Sequence, residues 1–299
     1  MASESWIHAA LALQLLALDP GLGGICIRAR SGPVRDRLAD LFPSKAQRIH
    51  PAISDEALFG GLDLSATLAS GHMVKEKGLL ATPGPLVLAM AERATTGLAA
   101  RLAVALDRNN GHCLIALDEG AEPDEVLNPK LAERLAFHVD LSHCSLNDIR
   151  DLGAMAQAPI ALKDVAMPAD IVAQVTRISG DLGIDSMRAP HFAMRAARAH
   201  AAFAGRTRVT QEDLEIACAL TLAHRATRIP EPDVPEEEPP APPPDQSNES
   251  NVEDTLDLPD ELLLEAVRAL LPDNLLEQIA ARKARAGRGN GTGAARKGN

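Results

Sequence analysis

Four largely apolar runs of strand length, at residues 24–27, 85–90, 112–117 and 136–141, are separated by stretches whose apolar residues recur at helical spacing. Runs that are mostly apolar belong in strands covered on both faces, and helices between them make the strands parallel. The sequence therefore predicts an α/β layer with a parallel sheet. Ile7, Leu11, Leu15 and Leu18 mark a first helix over 5–18, Leu38, Leu41 and Phe42 a second, and 98–106 and 129–135 two more. Residues 50–85, with several Gly and Pro, read as loops carrying small inserted elements.

Beyond Asp148 the strand signals stop. Ile171, Val172, Val175 and Ile178 share one helical face, a second helix spans about 189–203, and Thr210-Gln211-Glu212-Asp213 opens a third with the pattern of an N-terminal cap. The chain thus divides into an α/β domain at 1–150 and an all-helical domain at 151–230. Residues 230–244 hold eight prolines among acids, so 231–256 reads as a linker. Residues 257–299 read as a short helical segment and a flexible basic tail, which suggests the start of a truncated C-terminal region.

One Trp, five Phe and no Tyr leave the core to Leu, Ala, Val and Ile, and offer no aromatic platform on which bases could stack. The net charge is −11, but residues 1–230 carry only −3 of it, so the folded part has no field that favours nucleic acid. Cys26, Cys113, Cys144 and Cys218 lack CxxC spacing, and reduced thiols in a cytoplasmic protein are the expectation. No run is long enough to cross a membrane.

The loop after the first strand, residues 28–36, stands where a phosphate-binding loop would, between a strand and a helix N-terminus. Such a loop needs small residues for close backbone approach, a Lys for the terminal phosphates and a hydroxyl for magnesium. Here Gly32 remains, Arg35 stands in the Lys place and Asp36 in the hydroxyl place. The second strand run ends Met90-Ala91-Glu92-Arg93, where two acids would hold and use the metal. Ala91 replaces the first, and Glu92 remains as a vestige of the second. His138, His143 and Cys144 lie close in sequence without a repeating ligand pattern, so no metal site is expected.

Taken together, Gly78-Leu79-Leu80 leading to 85–92, then 127–135 leading to His138-Val139-Asp140, resemble the AAA+ modules of the magnesium chelatase family. Residues 194–199 and 209–214 are similar to that family's helical lid, and the acidic proline-rich tract is similar to the linker of its D subunits. The degenerate loops set the chain apart from the motor subunit, I.

The resemblance implies a non-motor AAA+ subunit that assembles in a hexameric ring with the ATPase I subunit. It further implies coupling of ATP hydrolysis to Mg2+ insertion into protoporphyrin IX on the H subunit, in chlorophyll and bacteriochlorophyll synthesis. ATP and Mg2+ are then used by the complex, with no cofactor held tightly by this chain and no ATPase activity in the chain alone. Arg134 matches an arginine finger acting in trans, and Arg188 the sensor 2 arginine of the lid. The sensor 1 residue has no match in Leu117-Asp118-Glu119-Gly120. The family's metal-binding von Willebrand A-type domain is expected to lie outside this sequence, since no DxSxS occurs in it. The rival reading is an active MoxR-like remodelling ATPase. A local Lys130–Glu133 pair is the ordinary alternative for the segment around Arg134.

Overall fold

A computed structural model describes residues 2–122, 124–149 and 160–228. The expected linker at 231–256 and the segment at 257–299 lie outside the described residues. In chain order the elements are α1 (Ala2–Leu18), β1 (Gly24–Arg28), α2 (Pro33–Ala39), β2 (Gln47–Ile49), α3 (Asp55–Phe59), β3 (Gly60–Leu62), α4 (Leu64–Ser70), β4 (Lys75–Lys77), β5 (Pro85–Leu88), α5 (Thr96–Asp107), β6 (Cys113–Asp118), α6 (Pro129–Ala132), β7 (Phe137–Asp140), α7 (Ala169–Asp181), α8 (Arg188–Phe203) and α9 (Gln211–Thr221).

The main sheet runs β2-β5-β6-β1-β7 and every pairing in it is parallel. All four expected strands are present. Sequence reading missed the fifth, β2, because only Ile49 of its three residues is buried, so this edge strand carries no apolar run. The inserted elements at 50–85 are two short helices and the antiparallel hairpin β3–β4.

Alternation along the strands divides the core. Ile25, Ile27, Ile115, Leu117, Phe137 and Val139 face α1 and the helices α7–α9, whereas Cys26, Leu86, Leu88, Leu114 and Ala116 face α5. The helical part therefore shares one continuous core with α1 and one face of the sheet. Helix α8 makes this possible with buried Ala189, Ala193, Ala196, Ala197 and Ala201, whose small side chains let α9 approach closely. Cys26, Cys113, Cys144 and Cys218 form no disulfide with one another.

A capping box opens α9. Thr210 donates its N–H at 2.8 Å and its hydroxyl at 2.9 Å to Oδ2 of Asp213, which is fully buried. His200 Nδ1 lies 2.6 Å from Oδ1 of the same carboxylate, and Arg206 pairs with that oxygen too. Two residues on, Glu215 is 5% exposed, and Gln211, one turn before it, is the side chain that faces its carboxylate.

Burial outweighs a side-chain hydrogen bond from Gln211 and, with Glu212 adding to it, pushes the Glu215 carboxyl up to about 7. A raised acid stabilises the fold while it stays protonated. The penalty starts as the unfolded chain ionises near 4.5 and grows until the folded carboxyl ionises near 7, reaching on the order of 3 kcal/mol. Glu215→Gln removes the charge and keeps the shape. It should raise the thermal midpoint at about pH 8 and change it little at about pH 5; an equal shift at both would refute a titrating Glu215.

Candidate nucleotide cleft and arginine pair

In a doubly wound sheet, ligands bind beyond the C-terminal strand ends where the strand order reverses. That point here is β1, which pairs with β6 on one side and β7 on the other. A cleft of about 570 Å³ opens there, lined among others by Arg28, Arg30, Gly32, Asp140 and His143.

Of the three residues assigned to the degenerate loop, Gly32 lines this cleft and Arg35 and Asp36 do not. Arg35 turns to the end of β6, pairing with Glu119 while its Nη2 donates to Ser31 Oγ at 2.7 Å. Asp36 is exposed on the first turn of α2. Met90 takes a left-handed conformation, φ 47°, that turns the chain sharply after β5. Glu92 then points inward: its side chain is 3% exposed, and its Oε2 accepts the Glu119 N–H at 2.9 Å. Glu92 is therefore not a solvated helix-start residue. Glu92 pairs with Arg93 at 3.4 Å and holds the main chain of Glu119, whose carboxylate pairs with Arg35, and Arg28 ties the next loop by donating to the Gly120 and Glu122 carbonyls at 3.2 and 3.3 Å. Ala91 and Asp36 stand at the two positions where the resemblance expects a metal-holding acid and a hydroxyl.

The opposite edge of the sheet holds the other two assigned residues. Arg134 stands between α6 and the start of β7. Its Nε and Nη2 donate to Asp107 Oδ2 at 2.9 and 2.7 Å, and its Nη1 donates to the Lys130 carbonyl at 2.6 Å. Arg188, at the start of α8, places Nη1 3.1 Å from the other Asp107 oxygen and Nε 3.8 Å from Glu133 Oε1. Burial acts to raise the Asp107 carboxyl, but the hydrogen bonds and charges of Arg134 and Arg188 outweigh it and hold it below 3.8. The partner found for Glu133 is thus Arg188, supported by Ser186 Oγ at 3.2 Å, in place of the expected Lys130.

Arg188 is not brought to Gly32, Arg35 or Asp36. It is brought to Arg134, in a small pocket of about 150 Å³ formed where the chain enters β1, β6 and β7. The length of a five-residue strand, about 13 Å, separates this pocket from the cleft at the other end of the sheet.

Comparison with known proteins matches residues 172–246 to the AAA lid domain. The magnesium-chelatase 60 kDa subunit of Cereibacter sphaeroides is 48% identical over 98% of this chain and 55% of its own length. That of Rhodobacter capsulatus is 44% identical over 96% of this chain and 54% of its own. The chain is a homologue of the magnesium-chelatase 60 kDa subunits. It spans about half the length of these relatives. A solved structure from Cytophaga hutchinsonii, described as a candidate ATPase, superposes with a TM-score of 0.54 over 75% of this chain and 82% of its own, at 14% identity, and so shares the fold. The parallel sheet followed by helices α7–α9 is an AAA+ module with its lid.

Among the described residues no group of three or more His, Cys, Asp or Glu could hold a metal ion. His138 instead stacks on His224, with ring centroids 5.6 Å apart. Among the described residues no helix is long and apolar enough to cross a membrane.

Sequence reading missed Asp107 and Glu119, the carboxylates that hold the assigned arginines. Asp107 carried a signal. An acid in the last turn of a helix opposes the helix dipole, so its presence there asks for a cationic partner.

Proposed function

We propose that this chain is the non-motor AAA+ platform subunit of a magnesium chelatase. It assembles with the ATP-hydrolysing I subunit in a ring and couples hydrolysis there to Mg2+ insertion into protoporphyrin IX on the H subunit. The observation that carries this reading is the division of labour between the two sheet edges. The chain's own cleft has its loop arginine paired with Glu119, while two guanidinium forks, those of Arg134 and Arg188, stand together on Asp107 at the far edge, out of reach of that cleft.

Guanidinium forks suit phosphate oxygens because their planar donors match two acceptors at once. Arg134 supplies charge to the phosphates of an I-bound nucleotide in trans, and Arg188 acts beside it. In the unassembled chain Asp107 occupies both forks and keeps them from scattering into solvent. The same features disfavour an active MoxR-like remodelling ATPase, since Arg35, Asp36 and Ala91 stand where its catalytic residues are needed. The helical lid and the following tract serve as the route to the H subunit.

Solution mass by light scattering tests the reading, with this chain alone and mixed with a magnesium-chelatase I subunit, each with and without Mg–ATP. The expected result is a nucleotide-dependent mixed assembly and no ATP turnover by this chain alone. Turnover by the partner-free chain at rates like those of I would sink the platform reading.

A further inference from the structure

Arg225 lies just beyond α9, and its guanidinium is spent on main-chain acceptors at the base of Arg134. Nη2 donates to the Leu135 carbonyl at 2.5 Å and Nη1 to the Ala136 carbonyl at 3.2 Å, the two residues that follow Arg134. Nη1 also reaches the Thr221 carbonyl at 2.6 Å and His224 Nε2 at 2.6 Å. Burial keeps His224 well below its ordinary 6.5, so its ring is neutral and accepts that bond. The guanidinium carbon sits 5.8 Å from the centre of the Phe192 ring.

The opposite side of the Arg134 segment is pinned as well. The Ala136 N–H donates to the Leu22 carbonyl at 3.1 Å. Gly23, at φ +76°, leaves room for the Arg134 carbonyl, which would lie 2.0 Å from a Cβ at that position. One face of α8 closes the arrangement at helical spacing: Arg188 meets Asp107, Phe192 stacks under Arg225, and Arg195 pairs with Asp19. The backbone that carries Arg134 is thus held between the turn before β1 and a side chain from the end of the helical lid.

We infer that Arg225 is a positioning residue that sets the aim of Arg134, making the last turn of the lid and the arginine-bearing segment one hydrogen-bonded unit. Leu135 and Ala136 precede the first ladder partner of β7, so Arg225 meets their carbonyls before the strand register begins. The acidic, proline-rich tract begins five residues after Arg225 in the sequence, so displacement of the chain at its exit from the lid is felt at Arg134 through this side chain. This inference rests on the proposed trans role of Arg134.

The test uses the 299-residue chain mixed with an I subunit whose own trans arginine has been substituted, so that ATP turnover reports only sites completed by this chain. Arg225→Met should assemble with I and bind Mg–ATP with unchanged KM, but lower kcat between about 10- and 100-fold, the range expected when a reacting group is misplaced by about 1 Å. Arg225→Lys, which keeps the charge and can reach one carbonyl, should recover part of that loss. In an Arg134→Ala background, Arg225→Met should add nothing further. Arg206→Met, which breaks the distant pair with Asp213, serves as the control that lowers stability without changing kcat.

If Arg225→Met folds, assembles and turns over normally while Arg134→Ala is impaired, the positioning role is wrong. If Arg225→Met fails to fold, Arg225→Lys carries the test, and a wild-type kcat in that folded variant overturns the inference equally. A silent Arg134→Ala would instead strike the trans-arginine reading itself.

Discussion

Arg134→Ala is expected to lower ATP turnover at the sites this chain completes by about 10³-fold or more, the range a guanidinium supplies to a phosphoryl transition state. The effect should fall on kcat, because the charge is needed most where phosphate charge is redistributed, and ground-state binding to I should survive. Single-turnover hydrolysis with the I subunit lacking its own trans arginine measures it. The loss cannot come from collapse of the fold. Arg134 binds Asp107 at the rim of a small pocket, and once it is removed Arg188 still neutralises that carboxylate at 3.1 Å. Asp107 then has a partner, so the cost of an unpaired acid is avoided. Turnover equal to wild type in a verified mixed assembly would remove Arg134 from the chemistry and leave it a structural partner of Asp107.

Asp213→Ala is expected to be the most damaging single change to stability, at about 3–5 kcal/mol, the cost of breaking a buried ion pair from one side. That is a large part of the roughly 5–15 kcal/mol that holds a domain together. The alanine leaves Arg206 and His200 without their acceptor and the first turn of α9 without the reciprocal half of its cap. Chemical denaturation of wild type and variant gives the difference; a loss under about 1 kcal/mol would mean that the cluster repacks or hydrates at little cost.

A pH signature accompanies it. Burial works to raise the Asp213 carboxyl, but hydrogen bonds from His200, Arg206 and Thr210 prevail and hold it below 3.8. A depressed acid contributes stability that is present above the unfolded value near 3.8 and is lost as pH falls through the folded one. Wild type should therefore lose stability steeply below about pH 4, and Asp213→Asn should lack that part of the slope. The Glu215 effect lies in the window above it and has the opposite sign, so the two separate on one pH series.

Much of the fold was legible because the relevant signals are local. Ile25 to Ile27 and Leu114 to Leu117 are apolar without interruption, which only a doubly covered strand explains, and Ile171, Val175 and Ile178 repeat with the turn of a helix. Thr210 and Asp213 announced the cap of α9 from their spacing alone. β2 escaped notice because a three-residue edge strand buries too little to leave a pattern.

The candidate site divides in the same way. Residue identity alone put Arg35, Asp36 and Ala91 where the resemblance expects a lysine, a hydroxyl and an acid, since chemistry depends on which atoms are present. Only the tertiary structure decided where the surviving arginines work. In a parallel sheet everything that follows a strand gathers at one edge and everything that precedes one at the other. Arg35 therefore meets Glu119 at the C-terminal edge, while Arg134 and Arg188, 54 positions apart, meet at Asp107 on the N-terminal edge. Periodicity arises from the repeat of a single helix or strand and can be read along the chain; an ion pair depends on which helix end is packed beside which, and that is fixed only when the core closes.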